Sequence, residues 1–153
     1  MADVVGCGLG ASTILMAQEY GRSHFVASDY HDESIDGARK RAADAGVGER
    51  VTFEVASAQT FGGTGYELVT TLDCLHDMGD PLGAARHVRE ALDSEGSWLV
   101  VEPFAGDSVA ANLNPVGRST TRSRPAWACR TRSRSRVATR WALRRARRAS
   151  ARS

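Results

Sequence analysis

Along the chain, hydrophobic and polar positions switch repeatedly between a strand period and a helix period. "ADVV" is a short apolar run that stops at glycines, and "ASTILMAQEY" follows without a breaker, so a strand and then a helix are predicted. "HFVASD" reads as a strand ending at an acid. In "DESIDGARKRAADAG", Ile35, Ala38, Ala42 and Ala45 share one helical face. Asp32 is placed as its N-cap, with Glu33 in the first turn to complement the helix dipole. Gly46 is placed to end it. "VTFEVA" alternates as a strand, and "YELVTTLDCL" is a longer apolar strand. "DPLGAARHVREALDSEG" predicts a helix with Asp80 at the N-cap, Pro81 at the first position and Gly96 just past its end. Leu82, Ala85, Val88 and Leu92 form its expected inner stripe. "SWLVVEP" is the next strand.

The order βαβαβ–β–αβ implies an α/β chain, a parallel sheet of about five strands covered by helices. In such sheets ligands bind beyond the carboxyl ends of the strands, near the point where strand order reverses. The loops to inspect are therefore 6–10, 28–31, 56–59, 73–78 and 102–104.

Charge divides the chain in two. Of its 20 basic residues, 12 are arginines within 119–153, where there is no acid. That leaves 8 basic and all 18 acidic residues in 1–118, a net charge of −10 there against +12 in the tail. The first part is expected to be the folded domain. A hydrophobic content of 42% suits a globular chain, and no apolar run approaches the length of a membrane span. The three cysteines, Cys7, Cys74 and Cys129, lack metal-ligand spacing. Their odd number, without a secretory signal, points to reduced thiols and a cytoplasmic location.

Gly6, Gly8 and Gly10 let the backbone turn tightly against a ligand, at the amide end of the following helix. Asp29 lies 19 residues beyond Gly10, at the end of the second strand, where a carboxylate can accept both hydroxyl hydrogens of a ribose. The pair indicates a nucleoside-containing cofactor. Two classes fit: dinucleotide enzymes, with Ala11 closing G-x-G-x-x-G/A, and methyltransferases, with G-x-G-x-G.

The ordered segments "GCGLGAST", "SDYHDESIDGARKRA", "VTFEVASAQTF", "YELVTTLDCLHDMGDP", "VEPFAGD" and "NPVGR" resemble a class I S-adenosylmethionine-dependent methyltransferase. They are most similar to the bacterial small-molecule group that carries a winged-helix domain ahead of its catalytic fold. The resemblance covers 1–118. It implies a Rossmann-like sheet, S-adenosyl-L-methionine as cofactor and a small-molecule methyl acceptor. Carried over by position, Gly6, Cys7, Gly8 and Gly10 would face the methionine moiety and Asp29 the ribose, with Tyr30 beside the adenine. Ser57, Ala58 and Gln59 fall where the group reads the adenine edge, and Asp73 to His76 fall under the reactive methyl. One departure stands out. The family's first-loop acid lies two residues before the first glycine, where this chain has Val4. Asp3 is one residue further back, so on an extended strand it should point to the opposite face.

Transfer from a sulfonium needs mainly in-line positioning and exclusion of water. A base is required only for an acceptor that retains its proton. His76 is the candidate, with Asp77 to orient it; the plainer alternative is a capping or packing histidine. His31 reads as solvated, His24 and His87 as surface residues, and Cys74 as an apolar filler.

The tail, residues 119–153, admits three readings. Arginines interleaved with Trp127 and Trp141 suit non-specific nucleic-acid binding or a disordered basic arm. The preferred reading is out-of-frame translation. In a GC-rich gene, losing one base turns G/C third positions into middle positions, which encode Arg, Ser, Thr, Ala, Pro, Gly, Cys and Trp. All of 119–153 except Val137 and Leu143 belong to that set. A Val-Tyr-Tyr-Ser-Phe-Ser frame, short of one base, reads Ser-Thr-Thr-Arg-Ser-Arg, as at 119–124. On this reading the chain is a truncated domain, expected to bind cofactor weakly and turn over little. A nicotinamide-dependent oxidoreductase fragment is the alternative of another class.

Overall fold

The computed structural model describes residues 1–104, 108 and 110–115. The expected tail, 119–153, lies outside the described residues. The described residues fall into two compact units, one of Met1–Leu75 with Leu82–Val101, the other of His76–Pro81 with the described residues from Glu102 onward.

The first unit is a five-stranded parallel sheet in the order β3-β2-β1-β4-β5. Its strands are β1 (Ala2–Val5), β2 (Phe25–Asp29), β3 (Val51–Val55), β4 (Tyr66–Leu72) and β5 (Leu92–Val101). The helices are α1 (Ala11–Glu19), α2 (Asp32–Asp44) and α3 (Pro81–Ala91). β1 lies at the centre, and strand order reverses beside it, as the alternation of elements implies. Among the described residues no helix is long and apolar enough to cross a membrane.

Register assigns the faces. Ala2 pairs with Phe25 and Leu68, Val4 with Ala27 and Thr70, and Phe25 and Ala27 with Val51 and Phe53. Side chains of paired residues share a face, and here they meet Ala17 of α1 and Ile35, Ala38 and Ala42 of α2 in one apolar cluster. Fully burying a side chain such as Ile35 or Phe53 contributes about 1.5–3 kcal/mol. The crossovers through α1 and α2 run one way along the sheet and that through α3 runs the other way. Right-handed connections therefore put α3 on the opposite face.

That second face carries Asp3, Val5, Ser28, Glu54, Val69 and Thr71, as the one-residue offset of Asp3 from Val4 predicts. Asp3 is completely buried and neither carboxyl oxygen has a hydrogen-bond partner. Burial pushes its carboxyl up to about 7, the nearby Glu54 charge adding to the effect. The Val4 amide opposes the shift without forming a hydrogen bond to either oxygen.

Four local expectations are corrected. The N-cap of α2 is His31, not Asp32, whose carboxylate instead accepts from the Glu33 amide at 2.8 Å. α3 ends at Ala91 rather than running to Gly96, because Leu92 already pairs with Tyr66 at the start of β5. Its buried stripe is Ala84, Val88 and Ala91, while Leu82 is exposed. His87 is not a surface residue: it is half-buried, its Nε2 lies 2.8 Å from the Phe61 carbonyl, and its ring meets Phe61 edge-on at 4.4 Å. His24 is exposed, as expected.

Candidate cofactor site

The loop after β1 is built by its neighbours. Gly10 has φ +76°, and a Cβ there would lie 2.9 Å from Ala38 Cβ and 3.0 Å from Phe53 Cε1, so packing of the loop onto α2 and β3 admits no side chain. Gly8 has φ +53°, but a Cβ there would meet nothing within 4 Å. Its backbone faces open space, a surface that a ligand can approach closely. The amides of Gly6 and Cys7 both donate to the Ser28 carbonyl, at 2.8 and 3.0 Å. Cys7 is buried, and desolvation, with the Asp29 charge next, pushes its thiol up to about 12. It is an inert packing group.

Asp29 ends β2 beside this loop. Its Oδ2 accepts from the Gly8 amide at 2.9 Å and its Oδ1 from the His31 amide at 3.0 Å. Each oxygen keeps a further lone pair, so the carboxylate is oriented without being saturated. Gly8 and Asp29 are thus brought together across 21 residues of sequence. Tyr30 projects outward, 69% exposed, with its ring edge-on to His31.

After β3, Ser57, Ala58 and Gln59 form a half-buried turn. The Ser57 carbonyl accepts from the Thr60 and Phe61 amides, both at 3.0 Å. Its hydroxyl lies 2.9 Å from Thr60 Oγ1 and accepts from the Gln59 amide at 3.3 Å. The Ser57 hydroxyl is therefore engaged within its own turn. Behind the turn, the Gly62 amide donates to Glu54 Oε1 at 2.9 Å and the Tyr66 hydroxyl to the Gly62 carbonyl at 2.7 Å.

After β4, Asp73 is exposed and adopts φ +55°, the left-handed region that aspartate tolerates better than most residues. Its amide donates to the Val101 carbonyl at 2.7 Å. Cys74 is more than an apolar filler. It is half-buried, its thiol donates to the Val5 carbonyl at 3.4 Å, and its sulfur occupies the space a Gly6 side chain would need.

His76 belongs to the second unit, in the 3₁₀ turn Leu75–Asp77. Its Nδ1 is hydrogen-bonded to Glu102 Oε2, and its Nε2 lies 3.3 Å from Asp77 Oδ2. Asp77 is the orienting group the sequence suggests; Glu102 is hydrogen-bonded to the other ring nitrogen. Glu102 lies in the 102–104 loop that the strand order singles out, but the sequence alone assigns it no role, since its pairing with His76 spans 26 residues.

A glycine loop hydrogen-bonded to an acid at the end of β2, in a β3-β2-β1-β4-β5 parallel sheet, defines a nucleoside-cofactor domain of Rossmann-like type. The family is settled by sequence: the model described as "Methyltransferase domain" matches residues 4–98, and the chain belongs to this family of class I S-adenosylmethionine-dependent methyltransferases. The family's cofactor is S-adenosyl-L-methionine. This membership displaces the nicotinamide alternative.

No curated protein sequence matches the chain. Solved structures share its fold. The YcgJ protein from Bacillus subtilis matches at 22% identity and TM-score 0.65, over 72% of this chain and 47% of that one. The O-methyltransferase of a trans-AT PKS multienzyme from Brevibacillus brevis, in complex with S-adenosyl-L-homocysteine, matches at 17% identity and TM-score 0.62, over 66% of this chain and 34% of that one. The [4+2]-cyclase SpnF matches at 20% identity and TM-score 0.64, over 69% and 40%. The chain thus spans less than half the length of each of these structures.

Proposed function

We propose that residues 1–104 bind S-adenosyl-L-methionine and serve methyl transfer to a small-molecule acceptor. The observation that carries this reading is the hydrogen bond from the Gly8 amide to Asp29 Oδ2, which couples the open glycine loop to the acid at the end of β2. The open space at Gly8 suits a ligand chain against the backbone, and the remaining lone pairs of Asp29 suit two ribose hydroxyls. Tyr30 and the 57–59 turn take the adenine side of the site, and Asp73 the side of the reactive methyl.

The cofactor supplies a sulfonium-bound methyl, so the protein needs to hold an acceptor in line and exclude water. For an acceptor that keeps its proton, His76 is the base. Its Nδ1–H donates to Glu102 Oε2, which holds the tautomer whose Nε2 accepts the acceptor's proton.

Calorimetric titration with S-adenosyl-L-homocysteine tests the reading. Hydrogen bonds from ribose hydroxyls to a carboxylate are charge-assisted, so Asp29→Ala should bind at least about tenfold more weakly than the parent. Equal affinity of parent and variant would remove Asp29 from the site, and no heat from a folded parent would remove the site itself.

A further inference from the structure

We propose that His31 is a positioning residue of the cofactor site, acting through Asp29 and Tyr30 by capping α2 with its imidazole. The proposal rests on the cofactor reading above.

His31 sits at the junction between β2 and α2 with extended backbone, φ −95° and ψ 107°. Three bonds converge on this one residue. Its amide donates to Asp29 Oδ1 at 3.0 Å, its carbonyl accepts the first helical bond from Ile35 at 3.2 Å, and its Nδ1 accepts from the Ser34 amide at 3.3 Å. Ser34 Oγ lies 3.1 Å from the same nitrogen. An Nδ1 that accepts from an amide belongs to a neutral ring with its proton on Nε2. A side-chain acceptor at this position satisfies a helix amide that otherwise has no partner. Histidine is not a usual N-cap, and Ser, Asn or Asp would serve the helix equally well.

The cap matters to the site because of what precedes it. Asp29 and Tyr30 are the two residues immediately before His31, and the His31 amide holds one of the two carboxylate oxygens of Asp29. The Gly8 amide holds the other. If the first turn of α2 frays, the His31 amide moves, and Asp29 keeps only its anchor to Gly8. The binding-competent turn is then populated a smaller fraction of the time, and apparent affinity falls by that fraction. The edge-on contact of the Tyr30 and His31 rings makes the adenine side depend on the same residue.

Titration of S-adenosyl-L-homocysteine into the parent, His31→Ala and His31→Asn, below the unfolding transition of each, tests this. His31→Ala should bind measurably more weakly, by up to about fivefold, the ceiling set by a lost cap of about 1 kcal/mol, and His31→Asn, which restores an acceptor, should recover most of the parent's affinity. An Ala variant with parental affinity would overturn the proposal, and so would an Asn variant as weak as Ala. Hydrogen exchange at the Ser34 amide of the parent gives an independent readout should the Ala variant fail to fold: slow exchange supports the cap and exchange at the open-chain rate overturns it. If the parent itself binds no S-adenosyl-L-homocysteine, the cofactor reading falls and this proposal with it. If the parent binds and the variants do not separate, the proposal alone falls.

Discussion

The two faces of the sheet are made from the same strands and are chemically unlike. On one, Ala2, Val4, Phe25, Ala27, Val51 and Phe53 meet the small and branched residues of α1 and α2, and the glycine loop is pressed onto this apolar layer at Gly10. On the other, under α3, the buried set includes a carboxyl with no partner at Asp3 and an unpartnered hydroxyl at Ser28. Trp98 supplies one repair there, its indole N–H donating to Thr71 Oγ1 at 3.2 Å. The difference teaches that alternation along a strand decides which face receives a polar group, while the partner needed to neutralise it must come from elsewhere in the fold.

The largest expected effect lies on the polar face. The Asp3 carboxyl has a value near 7 in the folded chain against 3.8 in the reference state. An acid raised on folding binds more protons folded than unfolded, so its contribution is intact below about pH 4 and is lost as pH climbs to about 7. The loss is on the order of 4 kcal/mol at 1.36 kcal/mol per unit. Asp3→Asn should remove this part of the pH dependence, which urea unfolding of parent and variant between pH 4 and pH 8 would display. Parallel curves for the two proteins would show that Asp3 finds a partner or water in solution.

On the apolar face the matching experiment is Ile35→Ala. Ile35 is completely buried among α2, β1 and β2 residues, and its truncation should cost about 3 kcal/mol, the middle of the range for large-to-Ala changes in cores. In contrast to Asp3, this cost should not vary between pH 4 and pH 8. A cost below about 1 kcal/mol would mean that the layer collapses around the gap and is not tightly packed.

Gly10→Ala is the smallest of the three and joins the apolar face to the cofactor site. A methyl at φ +76° and within 3 Å of Ala38 should destabilise the fold by about 1–3 kcal/mol. Because the strain falls on the loop, affinity for S-adenosyl-L-homocysteine should drop as well. Thermal unfolding and titration on one sample separate the two effects; unaltered affinity would detach the loop from the site.

By itself, the sequence determined whatever depends on near neighbours. The alternation of strand and helix patterns specified the five strands, the three helices and the parallel sheet. Gly6, Gly8, Gly10 and Asp29 stood out as a candidate site, because a tight turn and an acid at a strand end are local features; that Gly8 and Asp29 are hydrogen-bonded is shown by the fold. The displacement of Asp3 to the face opposite Val4 was legible too, since side chains alternate strictly along a strand. Tertiary structure alone decided the rest. α3 stops at Ala91 because pairing of Leu92 with Tyr66, 26 residues away, outweighs the helix-favouring pattern that runs on to Gly96. His76 meets Glu102, and His87 meets Phe61, each across 26 residues. Those partners are set by strand register and by which end of the sheet each loop leaves, and no local periodicity encodes either. His31 falls between the two. Its position just ahead of a helix was visible, but an imidazole serves as a cap only when its ring nitrogen faces the Ser34 amide, and that orientation is a property of the folded turn.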